Sequence, residues 1–100
     1  MNAIQRRFRM VIERLGEVLT VAGSDRKGIV STISSSRAAV WLTSAEVEAC
    51  VRPIQLAYVP FDDTTTANQA VVWDGRTYTV KKVVNARHRN QIIAKMLILA

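Results

Sequence analysis

The sequence predicts a mainly β protein: a small, closed or partly open antiparallel β-barrel of about six strands, with an N-terminal helix and one short internal helix. Three observations predict this fold. Several short runs rich in strand-forming residues are separated by turn signals. The N-terminal residues have helical periodicity instead. Of 100 residues, 49% are hydrophobic and 22% are charged, which indicates one folded domain over residues 1–100.

The predicted N-terminal helix is amphipathic. Its apolar residues recur at helical spacing and form one stripe, made of Ile4, Phe8, Val11, Ile12 and Leu15. Arg14 lies in the last turn, where a cation complements the carbonyl end of a helix. Gly16 follows, and we expect it to be the left-handed residue that ends the helix.

A hairpin and an irregular segment are predicted next. Residues 18–21 and 29–33 are β-prone, and 23–28 is a polar run with glycine at both ends, which predicts a hairpin with a loop of about four to six residues. Ser34, Ser35, Ser36 and Arg37 follow. Consecutive serines bond readily to their own backbone and have little preference for helix or strand, so we expect either a mobile loop or an ordinary surface connection here.

The short internal helix is predicted to begin at Thr43. Thr43 and Glu46 have the spacing of a capping box. Val47 and Cys50 would face inward, and Pro53 would end the helix. Because the chain has one cysteine, an internal disulfide is excluded, and we expect Cys50 to be a small buried apolar residue.

Residues 54–59 alternate as a strand does, with Ile54, Leu56 and Tyr58 on one face. Gln55 and Ala57 would lie on the other face. Residues 61–68 form a polar linker, in which adjacent Asp62 and Asp63 are expected to bind the arginine of a neighbour rather than to act as a catalytic pair.

The sharpest local signal is Asp74-Gly75 between two β-prone runs, which predicts a tight primed turn. The second arm continues to Val84, and residues 85–90 are predicted as another polar turn. Residues 92–99 are predicted as a last strand or, as the less favoured alternative, a helix, and the β-branched start of the segment favours the strand. Its apolar character indicates burial on both faces. We expect part of it to meet a second subunit, through Ile92, Ile93, Met96 and Ile98.

Few residues are candidates for chemistry. His88, the one histidine, lies between Arg87 and Arg89, an arrangement typical of a solvated turn. One histidine and one cysteine cannot provide the donors of a zinc site, and no glycine-rich phosphate loop is present. We therefore expect no enzyme activity, no cofactor and no metal.

The net charge of +6 and the pI near 10.3 indicate a nucleic acid or an acidic protein surface as a neighbour. Trp73 and Tyr78 flank the predicted turn and either pack across the strands or, with Lys81 and Lys82, form a base-stacking platform. Neither a signal peptide nor an apolar run long enough to span a bilayer is recognisable, so we expect a soluble protein made in the cytoplasm.

One segment resembles a known family. Residues 72–83 contain Asp74-Gly75-Arg76-Thr77-Tyr78-Thr79-Val80, preceded by Trp73, and resemble the "DGxxYxV" hairpin near the C-terminus of head-closure, head-tail joining and neck proteins of tailed bacteriophages. As in that family, a turn and a final apolar strand follow. The order of the other parts is also similar: a basic segment ending in glycine, a hairpin, an irregular central region, then Arg52-Pro53 before a strand.

The resemblance implies a small β-barrel that assembles as a ring, a hexamer or dodecamer, below the phage portal and its adaptor. Such a ring closes the channel after packaging, retains the DNA by non-specific contact, and presents a platform for the tail terminator or tail tube protein. The plug of the channel would be Ser34, Ser35, Ser36 and Arg37. The implied location is the virion neck, assembled in the bacterial cytoplasm without a membrane.

Two alternatives remain open. The helical periodicity of the N-terminus departs from the family pattern and favours the related adaptor, or the tail-completion or terminator class, of the same virion. A small nucleic-acid-binding barrel with a platform at Trp73 and Tyr78 is the alternative outside the virion.

Overall fold

The computed structural model describes residues 2–48 and 53–100. Its elements follow in this order: α1 (Ala3–Leu15), β1 (Glu17–Val21), β2 (Ser24–Ile33), α2 (Ser35–Ala38), α3 (Ser44–Glu48), β3 (Ile54–Pro60), β4 (Ala70–Trp73), β5 (Arg76–His88) and β6 (Gln91–Leu99). In this part of the chain six strands close into an antiparallel barrel in the order β1-β2-β3-β6-β5-β4, with β4 pairing with β1. The predicted fold class is confirmed, and closure pairs the strands that would otherwise be sheet edges.

Two-residue turns join the hairpins. Asp74–Gly75 connects β4 and β5 with φ of 51° and 74°, so the predicted primed turn is confirmed. Ala22–Gly23 and Arg89–Asn90 also have positive φ at both positions. The loop predicted at 23–28 and the polar turn predicted at 85–90 are shorter than expected, because most of their polar residues belong to β2 and β5. Strands of an antiparallel barrel that face solvent on one side accept such residues.

The barrel interior is apolar. Alternate residues of its strands point inward and form one cluster, made of Leu19, Val21, Ala57, Val59, Val71, Tyr78, Val80, Leu97 and Leu99. Glycine is needed at position 28 of β2 for space. A Cβ at this position would lie 2.7 Å from the Leu19 Cδ1 atom of β1 and 3.2 Å from the Tyr58 carbonyl oxygen of β3.

The connection between β2 and β3 covers the outer face of β3 and β6. We call its described part, residues 34–48, the cap segment. It forms a second cluster with the outward side chains of the strands, made of Ile33, Ala38, Leu42, Ile54, Leu56 and Ile98. The two-sided burial predicted for the last strand is confirmed for residues 97–99, because Leu97 and Leu99 point into the barrel and Ile98 points into this second cluster.

Both faces of β3 are buried, since Gln55 and Ala57 are buried as well as Ile54 and Leu56. The sequence predicts a mobile loop or an ordinary surface connection at residues 34–37, whereas Ser35 to Ala38 form α2, so the described chain has two short internal helices rather than one. The Ser34 hydroxyl accepts a hydrogen bond from the Arg37 amide at 3.2 Å and so caps this helical turn.

The short helix predicted at Thr43 is confirmed, together with its capping box. The Thr43 hydroxyl accepts from the Glu46 amide at 3.2 Å, and the Glu46 carboxylate accepts from the Thr43 amide at 2.9 Å. The sequence predicts that Cys50 is buried and that Arg52 precedes a strand. Both residues lie outside the described part of the chain.

The helix α1 is confirmed, but of its predicted apolar stripe Ile12 alone is fully buried against the barrel. The half-buried or buried residues are Asn2, Gln5, Arg9, Ile12 and Gly16, which align along one side of the helix. Gly16 is not left-handed, since its φ is −73°. Glycine is needed there for space, because a Cβ would lie 2.2 Å from the Ile12 carbonyl oxygen.

Candidate interaction surfaces

The hairpin that carries the family resemblance is part of the barrel core. Tyr78 is 2% exposed inside the barrel, and half-buried Trp73 packs against the same core. Their ring centroids are 6.1 Å apart at an angle of 47°. The Trp73 indole N–H donates to the Glu17 carboxylate at 3.2 Å. Asp74, Gly75 and Arg76 form the exposed tip.

This geometry contradicts a stacking platform built from both aromatic side chains, because Tyr78 is buried in the core. Of the two lysines assigned to that platform, Lys82 donates from its Nζ to the Trp41 carbonyl oxygen at 3.0 Å. It thereby links β5 to the cap segment. Cross-strand packing, the other reading of Trp73 and Tyr78, is the arrangement observed.

The predicted plug residues begin the cap segment on the outer face of the barrel. Ser34, Ser36 and Arg37 are exposed, and Ser35 opens α2. Ala38 and Leu42, which follow, are buried in the outer cluster and anchor the segment. The structure therefore places a serine- and arginine-bearing helical turn in solvent, directly beside a fixed hydrophobic contact.

The four residues predicted for a subunit interface lie in different environments. Ile98 is fully buried under the cap segment, so it is not available to another chain, and that assignment is wrong. Met96 is half-buried against the same cluster. Ile92 and Ile93 are half-buried at the beginning of β6, and the Ile92 carbonyl accepts from the Gln5 side-chain amide at 2.7 Å.

An ion-pair network fixes the linker between β3 and β4. The Asp63 carboxylate is 2.8 Å from the Arg26 guanidinium, and it also accepts from the Thr65 amide at 2.8 Å. Thr65 is buried, and Lys95 Nζ donates to the Asp63 carbonyl oxygen at 2.8 Å. The linker predicted as a simple polar segment is thus tied to β2 and β6. The spacing of Asp63 and Thr65, typical of an Asx turn, was the available sequence signal.

The neighbouring aspartate holds α1. Asp62 pairs with Arg9, whose guanidinium carbon lies 5.8 Å from the centroid of the Phe61 ring. The arginines bound by Asp62 and Asp63 therefore belong to the same chain, in α1 and β2. Each carboxylate has its own arginine partner. This arrangement holds the linker in place and differs from a catalytic pair, in which two carboxylates face the same substrate.

The cap segment also contains a shifted carboxyl group. Hydrogen bonds from the Thr43 amide and hydroxyl lower the pKa of Glu46, with smaller contributions from the positive charges of Lys82 and Lys81. Because Glu46 is exposed, this shift reports the capping box and the proximity of β5 rather than a reactive group.

Four of the five residues of the predicted apolar stripe of α1 are exposed to different degrees, whereas the fifth, Ile12, is buried against the barrel; from here on the apolar stripe means the four exposed residues. Its exposed residues have relative accessibilities of 37% for Ile4, 37% for Phe8, 40% for Val11 and 74% for Leu15. Beside it, a shallow groove of about 370 Å³ is lined by Ala3, Met10 and Val11 and by the guanidinium-bearing side chains of Arg6, Arg7 and Arg14. The described helix therefore presents an apolar strip next to a basic one.

No metal-binding group is apparent in residues 2–48 and 53–100, where three or more His, Cys, Asp or Glu side chains nowhere come together. His88 is exposed at the end of β5, beside the Arg89–Asn90 turn. None of the helices in this described part of the chain has the length and apolar character needed to cross a membrane.

Comparison of the chain with protein-family models, curated proteins and solved structures finds no match.

Proposed function

We propose that this protein is a structural component of the neck of a tailed bacteriophage. It assembles as a ring below the portal and adaptor, closes the DNA channel after packaging and provides the platform for tail attachment. One observation carries the proposal. The Asp74–Gly75 hairpin joins strands of a closed six-stranded barrel in the described chain, which is the fold that the resemblance of residues 72–83 implies.

The charge of the chain supports contact with DNA inside such a ring. A net charge of +6 on each subunit repeats positive potential around the ring axis. Within this proposal, Ser34, Ser36 and Arg37 are exposed DNA-proximal side chains at the beginning of the cap segment. A hydroxyl and a guanidinium bind phosphates without reading the base sequence.

A second candidate is the adaptor, or the tail-completion or terminator protein, of the same virion. The observation in its favour is α1, since a long helix at the N-terminus departs from the head-closure pattern. In that role the ring would contact the portal or only tail subunits rather than seal the channel.

Blocking expression of the gene during infection tests the proposal. Particles are imaged by electron microscopy and packaged DNA is quantified, with the wild-type gene supplied in trans as the control. Tailless heads that have lost packaged DNA, beside complete free tails, support head closure. Stable full heads with defective tails move the protein to the tail, and normal infectious particles overturn the neck assignment.

Variants with Arg37→Ala and Ser36→Ala supplied in trans test the plug. Both side chains are exposed, so the fold is expected to persist. If they line the channel, tailed particles form but lose DNA faster on storage than those complemented with the Arg76→Ala control, which alters an exposed arginine at the β4–β5 turn. Equal DNA retention removes residues 34–37 from the channel.

A further inference from the structure

We propose that α1 is a docking site for an acidic amphipathic helix of a partner protein. The apolar stripe of α1 receives the apolar side chains of that helix, and Arg7 and Arg14 bind its carboxylates. The proposal concerns this helix surface and does not depend on the neck assignment.

The stripe has the geometry of a helix–helix seam. Ile4, Phe8, Val11 and Leu15 are separated by four, three and four residues, the spacing of alternating d and a positions in a heptad repeat. With about 3.6 residues per turn they form one narrow line along the helix. A strip this narrow fits a single helix, whereas insertion into lipid favours a wider apolar face.

The two flanks of the stripe differ in chemistry. On one side lie Gln5 and Ile12, which are occupied by the barrel: Gln5 bonds to the Ile92 carbonyl and Ile12 is fully buried. On the other side lie Arg7 and Arg14, in the positions from which coiled-coil helices form interhelical ion pairs. Both arginines are exposed and line the groove beside the stripe.

A second copy of the chain does not satisfy this surface. An antiparallel pair of α1 helices would set Arg7 of one copy against Arg14 of the other, in two repulsive contacts. A parallel pair would require Ile12 and Gln5 to face the partner, but the barrel already covers them. A helix with glutamates beside its apolar seam replaces repulsion by two attractive contacts, so charge complementarity selects an acidic partner.

A pair of synthetic peptides as long as α1 tests the proposal. Both have leucine at the a and d positions; one has glutamate at the flanking e and g positions and the other has lysine. Binding to the full-length protein is measured by fluorescence anisotropy. The glutamate peptide is expected to bind at least about tenfold more tightly than the lysine peptide, and added salt is expected to reduce the difference.

Two variants connect the binding to the named residues. Leu15→Ser is expected to weaken binding of the glutamate peptide about tenfold, without changing the urea midpoint of unfolding, because Leu15 is largely exposed. The double variant Arg7→Glu, Arg14→Glu is expected to reverse the preference and to bind the lysine peptide. Discrimination that survives both variants overturns the proposal, since the peptide then binds elsewhere.

Three other results also overturn it. Equal binding of both peptides means non-selective apolar adhesion. Reversible self-association in sedimentation velocity, abolished by Leu15→Ser and without peptide binding, assigns the stripe to a second copy. Co-sedimentation with phosphatidylglycerol vesicles that depends on Leu15, again without peptide binding, assigns it to a membrane surface.

Discussion

The cap segment and α1 both lie against β3 and β6, but they bury different kinds of residue. The cap segment begins with serines and covers the barrel with Ala38 and Leu42. The helix α1 has the stronger apolar periodicity, yet it contacts the barrel through Gln5, Arg9 and Ile12 and leaves its other apolar residues exposed. Amphipathic periodicity thus predicts a helix without predicting which of its faces the same chain covers.

The difference has a physical cause in the contacts that hold each element. The cap segment is held mainly by hydrophobic burial against β3 and β6. The helix α1 buries Ile12 and is held along the first part of its buried face by directional polar contacts: Asn2 with Gln91, Gln5 with Ile92, and Arg9 with Asp62. Those contacts fix the rotation of α1, which leaves Ile4, Phe8, Val11 and Leu15 exposed.

The largest expected effect comes from opening the core beneath the cap segment. Ile98→Ala leaves a cavity under Ala38 and Leu42 and is expected to lower the free energy of unfolding by about 3–4 kcal/mol. Ile92→Ala, at a half-buried position of the same strand, is the matched control with a loss of about 1 kcal/mol. Urea unfolding followed by tryptophan fluorescence measures both.

The same experiment distinguishes a core role of Ile98 from an interface role. Because Ile98 is buried within one chain, its loss of stability is expected to be independent of protein concentration. A loss that appears only at high concentration, where subunits associate, would restore the original assignment of Ile98 to a subunit interface.

A smaller effect is expected from the linker that α1 contacts. Asp63→Ala removes the charged partner of Arg26 and the acceptor of the buried Thr65 amide and hydroxyl, so we expect the free energy of unfolding to fall by about 2 kcal/mol. Asp62→Ala removes only an exposed partner of Arg9 and is expected to cost about 0.5 kcal/mol. Similar losses for the two variants would show that the Asp63 network adds nothing to an ordinary surface ion pair.

The smallest effect concerns the anchoring of the cap segment at α3. The pKa of Glu46 is lowered mainly by hydrogen bonds from Thr43, so its contribution to stability is present at neutral pH and is lost as the pH falls through the folded-state pKa. Thr43→Ala removes the hydroxyl donor and is expected to move this pKa back toward its ordinary value. NMR titration of the Glu46 side chain measures it, and an unchanged pKa would exclude the hydroxyl as a cause.

Local signals predicted the fold correctly where one signal determines the backbone. Asp74–Gly75 predicted the turn correctly, because a primed turn needs positive φ at two positions and these residue types adopt it readily. The capping residues Thr43 and Glu46 likewise predicted the start of α3. Ala22 and Arg89 have the same left-handed backbone, which sequence does not reveal because neither residue prefers it. The helical turn at the serine run was not predicted from the serines themselves, because the residues that anchor it in the outer cluster, Ala38 and Leu42, come later in the chain.

The candidate surfaces were less predictable than the fold. The apolar character of Ile98 is the same for a core residue and for an interface residue, and only the position of the cap segment distinguishes the two. The pairing of Asp63 with Arg26 joins residues far apart in the chain, so no local pattern contains it. The plug assigned to residues 34–37 and the ring itself stay predictions.

The contrast between α1 and the cap segment is tested most directly by making one substitution in each. Leu42 is 4% exposed and Leu15 is 74% exposed, so Leu42→Ala and Leu15→Ala are matched variants. Measured by urea unfolding of the full chain, Leu42→Ala is expected to lose about 2–4 kcal/mol of unfolding free energy and Leu15→Ala less than about 0.5 kcal/mol. Equal losses would contradict the account, because α1 would then bury its apolar stripe against its own barrel.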